Sequence, residues 1–179
     1  RVLEEYGRSV DPLLASEAAA IRYGLYDLET SCLKATGGNN RRNQLQDCQL
    51  CMITTPCPDL IDRVTAALRS GVAMVQHRCK SGSDLARLAE ARTLAALCKD
   101  HGALLIINDR TDLALAVDAD GVHLGQDDLP TEVARGLIGP ERLLGRSTHS
   151  LDQVVQANQE DCDYMGLGPV NNTAVKPER

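Results

Sequence analysis

Five apolar segments of strand character end in charged, amide or hydroxyl side chains, and these endings are where the chain could do chemistry. The five segments are VQHRCK (75–80), IINDR (106–110), GVHLGQDD (121–128), GRSTHS (145–150) and YMGLGPVNNTAVKP (164–177). In a barrel of parallel strands, the carboxyl ends of all strands lie at one face. The five endings would therefore converge on one pocket, although they are far apart in the chain.

The first ending carries cations that suit an anionic ligand. Gln76, Arg78 and Lys80 alternate along a strand and its exit, so they would face one side of the sheet. His77 and Cys79 would face the other side. A planar guanidinium, a mobile ammonium and an amide on one face can form an anion clamp. The alternative interpretation is a solvated strand end with ordinary surface charges.

The next two endings carry acids that suit a metal ion. Asp109 directly follows one apolar strand, and Asp128 closes the next. Two carboxylates are enough for Mg²⁺, which takes its other ligands from phosphate and water. Asn108 could donate a hydrogen bond to a phosphate or a heterocycle. The structural alternative is that Asp109 or Asp112 caps a helix.

The last two endings supply hydroxyl groups and one more cation. Ser147 could bind a pyrophosphate or a ring amine, and Thr173 and Lys176 suit phosphate capture in a loop. His123 lies inside a strand and is expected to pack in the core. No Ser-His-Asp order surrounds His149, so a hydrolase triad is not predicted.

Alternating strands and helices would position these endings. Strands are predicted at 50–55, 72–77, 103–108, 120–124, 142–147 and 163–168. Helix N-caps are predicted between them at Asp59, Ser83, Thr131 and Ser150. The alternation predicts an α/β fold with a parallel sheet, and the polar strand ends favour a TIM-type (β/α) barrel over an open sheet. Because about six of eight units are visible, we expect a barrel truncated at its C-terminus.

The N-terminal part has a different character. Residues 1–36 predict a small helical segment, because apolar residues recur at three- or four-residue spacing. Residues 37–48 are polar and rich in Gly and Asn, which predicts an exposed linker and a domain boundary. The barrel region would then occupy 49–179. We expect the helices to serve packing or association, which leaves a homo-oligomer open.

Composition argues against several classes of protein. The net charge of -6 is unfavourable for a nucleic-acid surface. No apolar run approaches the ~20 residues that span a bilayer, so no membrane partner is predicted. Without a visible signal peptide the cytoplasm is the predicted location, with the seven cysteines reduced. Cys48 and Cys51 form an isolated CxxC pair, but a zinc site would need further ligands nearby.

The residues at the strand ends resemble those of a known enzyme family. From residue 50 to residue 176 the chain is similar to thiamine phosphate synthase, and DRTDLALAVDADGVHLGQDDLP (109–130) is the most specific part. The resemblance implies a TIM-type barrel that joins a hydroxymethylpyrimidine diphosphate to a thiazole phosphate and releases pyrophosphate. It also implies Mg²⁺ as cofactor and these small molecules as partners.

The resemblance assigns a role to each matching position. Residues implied to bind the pyrimidine diphosphate are Gln76, His77, Arg78, Cys79, Lys80, Asn108, Ser147 and Lys176. Thr173 and Val175 would bind the thiazole phosphate, and Asp109 and Asp128 would bind Mg²⁺. Val175 stands where the family has a second Thr, so one hydroxyl of the thiazole-phosphate site is lost.

The resemblance also implies a mechanism without a protein nucleophile. The bond between the pyrimidine methyl carbon and the diphosphate oxygen would ionise first, and the thiazole nitrogen would then attack. Two alternatives stay open. One is a thiazole tautomerase-like isomerase, which would use a histidine and no metal-diphosphate site. The other is a barrel fragment without catalytic activity.

Overall fold

The sheet of this protein has six parallel strands in chain order. The computed structural model describes residues 2–46 and 48–169. The strands are β1 (Cys51–Ile53), β2 (Met74–His77), β3 (Leu104–Asn108), β4 (Gly121–Leu124), β5 (Leu143–Thr148) and β6 (Tyr164–Leu167). Each strand pairs in parallel with the next one along the chain. This is the topology of six consecutive units of a TIM-type barrel, as the sequence predicts.

Seven helices accompany these strands in the described part of the chain. Two precede the sheet, α1 (Val2–Val10) and α2 (Pro12–Gln46). The others follow the first five strands in turn: α3 (Leu60–Arg69), α4 (Asp84–Asp100), α5 (Thr111–Ala116), α6 (Thr131–Ile138) and α7 (Leu151–Ala157). None of the helices in the described ranges is long and apolar enough to cross a membrane.

The strands bury both of their faces, and the two faces have different partners. Side chains of Val75, Leu105 and Val122 point outward and pack with those of α3, α4 and α6 in the main core. Side chains of Met74, Ile106 and Leu143 point inward and form a second cluster on the barrel floor. Because side chains alternate along a strand, the residues two positions later also point inward, toward the carboxyl ends.

The predicted linker is helical, which corrects the prediction for residues 37–46. Helix α2 runs through the Gly and Asn residues without a break and ends at Gln46. Each Gly costs about 1 kcal/mol in a helix, but extending an existing helix by one residue is far easier than starting one. The last turn is also anchored, because Leu45 packs against the inward cluster of Met74, Ile106 and Leu143.

Two of the four predicted N-caps are confirmed. Ser83 Oγ accepts a hydrogen bond from Ala86 N–H, and Ser150 Oγ accepts one from Gln153 N–H. Asp59 precedes α3 without capping it and instead pairs with Arg63 at 2.9 Å. The prediction for Thr131 is wrong, because this residue is already helical and its hydroxyl donates to the Glu160 carboxylate.

Candidate active site

The inward side chains near the carboxyl ends of the strands surround a cavity of about 530 Å³. Its wall contains Gln76, Asn108, His123, Ser147 and Tyr164, which belong to five consecutive strands. Gln76 and Asn108 stand two positions after Met74 and Ile106 of the floor cluster, on the same face of their strands. The predicted convergence is present for the endings of β2, β3, β5 and β6, whose Arg78, Asn108, Ser147 and Gly168 line this cavity, whereas Asp128 beyond β4 is not among its lining residues.

An amide pair forms one side of the cavity. Gln76 Nε2 donates a hydrogen bond to Asn108 Oδ1 over 2.7 Å, which joins the ends of β2 and β3. Gln76 is only 6 % exposed, and Arg78 lines the same cavity two residues later. The bond leaves Gln76 Oε1 as an acceptor and Asn108 Nδ2 as a donor for a heterocyclic ligand.

An acid pair lies beside a lysine in the segments that follow β2, β3 and β4; this region, called the rim below, adjoins the cavity-lining residues Arg78 and Asn108 in the chain. The carboxyl groups of Asp109 and Asp128 are neighbours, and Lys80 Nζ lies 3.4 Å from Asp109 Oδ2. Asp128 Oδ2 accepts a hydrogen bond from Gly125 N–H over 2.6 Å, which fixes its direction. Asp109 adopts a left-handed backbone conformation with a φ of 65°, and its N–H donates to His123 O. The left-handed conformation of Asp109 turns the chain at the end of β3.

The acid pair has the electrostatics of a cation site. Partial burial raises the pKa of Asp109 first, and the neighbouring Asp128 carboxyl raises it further. Lys80 acts in the opposite direction. Two carboxylates held together against their repulsion gain stability when a divalent cation joins them, so the residues fit Mg²⁺. Within the described residues, no group of three or more His, Cys, Asp or Glu could hold a metal, so two is the ligand number that this pair offers.

Sequence reasoning missed the role of His123 and Tyr164. His123 is buried, as expected, but it faces the cavity, where its Nε2 lies 3.0 Å from Ser147 Oγ and its Nδ1 lies 3.2 Å from Tyr164 OH. Gly145 provides the space for this pair, because a Cβ at that position would lie 2.5 Å from His123 Nδ1. The alternation Val122–His123–Leu124, with apolar neighbours facing the helices, was the signal that could have indicated an inward histidine.

Burial keeps the phenol of Tyr164 protonated, because it raises the pKa of the hydroxyl far above its ordinary value. A protonated Tyr164 can donate to His123 Nδ1, which would leave Nε2–H facing Ser147 Oγ. Gln126 Nε2 also donates to the backbone oxygen of Ser147 over 2.5 Å. Ser147 is therefore held from two sides, and its hydroxyl is available to a ligand in the cavity.

His77 and Cys79 face away from the cavity, as the alternation along β2 predicts. His77 is 2 % exposed and lies between Thr54 Oγ1 and the Glu90 carboxylate of α4. Cys79 Sγ donates to Ser81 O over 3.0 Å. The side chains of these two residues are not part of the cavity wall, so a role in ligand binding would have to come from their backbone.

The burial of His77 predicts a pH dependence of stability. Burial lowers the pKa of this imidazole below the ordinary 6.5, although the Glu90 charge opposes the shift. A lowered pKa means that the unfolded chain binds the proton more readily, so stability present above pH 6.5 is lost as the pH falls toward the folded pKa. We expect His77→Gln to lose less stability than the wild type between pH 7.5 and pH 5.5, measured by urea unfolding. An equal loss in both proteins would contradict this.

The predicted residues of the last loop, Thr173, Val175 and Lys176, lie outside the described residues. The described chain ends just after β6, where Gly168 O contacts His149 Nδ1 and Pro169 lines the cavity. The residues predicted to bind the pyrimidine diphosphate therefore all belong to the described part of the chain, apart from Lys176.

Comparisons with known proteins agree with this geometry. Residues 50–179 match the family model described as thiamine monophosphate synthase. The chain is 86 % identical over 179 residues to the thiamine-phosphate synthase of Parasynechococcus marenigrum, covering 100 % of the chain and 51 % of that relative. It is 47 % identical over 176 residues to the thiamine-phosphate synthase of Nostoc sp., covering 98 % of the chain and 49 % of that relative. The chain thus spans about half the length of the curated relatives it matches.

A solved structure has the same fold. Thiamine phosphate pyrophosphorylase from Pyrococcus furiosus aligns with a TM-score of 0.67 and 37 % sequence identity. The alignment covers 74 % of this chain and 64 % of that one. The likeness extends the agreement from sequence to the arrangement of strands and helices.

Proposed function

Since the chain belongs to the thiamine monophosphate synthase family, we propose that its protein joins a hydroxymethylpyrimidine diphosphate to a thiazole phosphate, giving thiamine phosphate and pyrophosphate. The observation that carries the proposal is the combination of an amide pair in the cavity with an acid pair and a lysine at its rim. A ligand with a heterocycle at one end and a metal-bound diphosphate at the other matches this arrangement.

The heterocycle would bind in the cavity. Gln76 and Asn108 offer an acceptor and a donor to the pyrimidine nitrogens and the ring amine. Ser147, held by His123, offers a hydroxyl on the opposite wall. Hydrogen bonds from these neutral groups would orient the ring so that its methylene carbon points toward the rim.

The diphosphate would bind at the rim. Arg78 would clamp its oxygens with a planar fork, and Lys80 would add a mobile charge. Asp109 and Asp128 would hold Mg²⁺, which when bound neutralises charge on the diphosphate and makes it a better leaving group. Lys80 already lies beside Asp109, so it can balance the acid pair before the ligand arrives.

The reaction needs positioning and charge stabilisation from these residues. The bond between the methylene carbon and the diphosphate oxygen breaks, the pair of electrons leaves with pyrophosphate, and the thiazole nitrogen forms the new bond to carbon. Arg78 and Lys80 stabilise the charge that grows on the leaving group. Gln76, Asn108 and Ser147 keep the carbon in line with the incoming nitrogen. None of these steps requires a protein nucleophile.

The remaining parts of the proposal concern residues and properties outside the described site. Thr173 and Val175 would contact the thiazole phosphate, and Lys176 the diphosphate. His77 and Cys79, whose side chains face away, would contribute through the backbone between Gln76 and Lys80. We expect the protein in the cytoplasm, acting on small molecules and without nucleic-acid or membrane partners; a homo-oligomer stays open.

Calorimetric titration with the pyrimidine diphosphate, with and without Mg²⁺, tests the proposal. We expect saturable binding that depends on Mg²⁺ and release of pyrophosphate once thiazole phosphate is added. Binding without metal dependence would instead favour the tautomerase-like isomerase. A folded protein that binds but does not turn over would favour a barrel without catalytic activity.

A further inference from the structure

Thr54 directly follows β1. It is hydrogen-bonded to Gln76 and Arg78, the two cavity-lining residues at the end of β2 and just beyond it. Its N–H donates to Gln76 O over 2.9 Å, and its Oγ1 accepts from Arg78 N–H over 2.9 Å. Thr54 is 2 % exposed and lines the cavity. One buried residue therefore holds the backbone on both sides of His77, at the point where β2 ends.

The hydroxyl of Thr54 replaces a missing strand bond. The β1–β2 ladder ends with the pairing of Ile53 and Gln76, so the next inward position, Arg78, has no strand partner on β1 for its N–H. A part-buried N–H without an acceptor is costly, and the Thr54 side chain supplies that acceptor. This bond sets the direction in which the chain leaves β2. It therefore also sets the backbone position from which the Arg78 side chain extends.

His77 and Glu90 orient that hydroxyl from the other side of the sheet. Because Thr54 Oγ1 accepts from Arg78, its own proton can go to His77 Nδ1, 3.4 Å away. The neutral imidazole then carries its proton on Nε2. In the described part of the chain this buried nitrogen makes no hydrogen bond of good geometry, but it faces Glu90 Oε1 at 3.4 Å. The contacts run in one direction, from Arg78 N–H through Thr54 and His77 to a carboxylate.

We propose that Thr54 is a positioning residue for the anion clamp: through its hydroxyl it fixes the backbone of Arg78, and so aims the Arg78 guanidinium at the diphosphate of the ligand. The ligand's identity rests on the proposed function, whereas the contact between Thr54 and Arg78 does not. Thr54 would not touch the reacting atoms, and His77 would act only through it.

Two substitutions separate the hydroxyl from the packing. Thr54→Val keeps the shape and the β-branch but removes the acceptor, while Thr54→Ser keeps the acceptor and removes a methyl group. In the intact protein with Mg²⁺, we expect Thr54→Val to raise the Kd for the pyrimidine diphosphate about tenfold. This factor corresponds to the upper end of the net free energy of one hydrogen bond. Thr54→Ser should stay within about twofold of the wild type, and the KM for thiazole phosphate should not change in either variant.

The outcomes distinguish positioning from packing. If Thr54→Ser weakens binding as much as Thr54→Val, or if Thr54→Val binds like the wild type, the inference is wrong. Melting temperatures of both variants identify a general loss of stability. Such a loss would raise the Kd for the pyrimidine diphosphate and the KM for thiazole phosphate together. A selective effect on the diphosphate that serine restores is the supporting result.

A second measurement keeps the inference testable if the wild type binds no pyrimidine diphosphate and the proposed function fails. Amide hydrogen exchange of Arg78 N–H should then be about tenfold faster in Thr54→Val than in the wild type and unchanged in Thr54→Ser. The Leu105 N–H, which donates to Asp120 away from this contact, is the internal reference. Unchanged exchange at Arg78 in Thr54→Val would overturn the inference.

Discussion

Replacing Asp109 with asparagine should weaken Mg²⁺-dependent binding of the pyrimidine diphosphate by about 100-fold or more, because loss of a metal ligand exceeds the 10–100-fold effect of losing a supporting contact. Asp109 contributes one of two carboxylates at the rim and also faces Lys80 at 3.4 Å. An amide of the same shape keeps the packing but removes the charge. The measurement is calorimetric titration of wild type and variant at several Mg²⁺ concentrations.

The same substitution should have the opposite effect on stability without metal. Burial and Asp128 raise the pKa of Asp109, so ionised Asp109 destabilises the folded protein as the pH rises through its folded pKa. Asp109→Asn removes that charge, and its melting temperature at pH 7 without Mg²⁺ should be higher than that of the wild type. Weaker ligand binding together with higher stability is typical of a site where function opposes stability.

A matched control lies three residues further along the chain. Asp112 belongs to an exposed ion pair with Arg110, and its side chain is 65 % exposed. Asp112→Asn carries the same chemical change in the same segment, and we expect its Mg²⁺-dependent affinity to stay within about twofold of the wild type, because exposed ion pairs contribute little. If both variants lose affinity equally, the acid pair is not the metal site and the proposed function loses its main support.

The sequence predicts the arrangement of the rim because this part of the site follows from strand order alone. Asp109, Asp128 and Lys80 each stand at or beyond the end of a strand, and parallel strands in chain order bring such ends together. This prediction requires no knowledge of side-chain rotamers or of contacts between particular distant residues. The prediction that Gln76 faces the cavity while His77 faces the helices is correct for the same reason, since it depends only on the period of two.

Contacts that depend on one particular neighbour could not be predicted in this way. The approach of Tyr164 to His123 depends on the space that Gly145 leaves, and the bond from Arg78 to Thr54 depends on where the β1–β2 ladder stops. Residues 37–46 continue α2, and Leu45 in its last turn packs against the barrel floor. Local propensity indicated a loop there, and tertiary contacts overrode it.

Replacing Arg135 with methionine should destabilise the fold by about 3–5 kcal/mol, the cost of removing one partner of a buried ion pair. Arg135 is 8 % exposed and lies in α6, where its Nη2 contacts Asp163 Oδ2 at 2.7 Å. Its Nη1 also donates to Arg142 O over 2.6 Å. The Asp163 carboxylate, 5 % exposed, accepts from Leu144 N–H as well, so this group joins α6 to the start of β5 and β6.

Urea unfolding measures the effect, and an exposed pair of the same chemistry provides its control. Arg63 and Asp59 pair at 2.9 Å, but their side chains are 63 % and 50 % exposed. Arg63→Met should therefore cost less than about 1 kcal/mol. Because neither Arg135 nor Asp163 is among the residues that line the cavity, the Kd of Arg135→Met for the pyrimidine diphosphate should stay near that of the wild type while the protein is folded. Similar free energies of unfolding for Arg135→Met and Arg63→Met would mean that burial does not govern the contribution of Arg135.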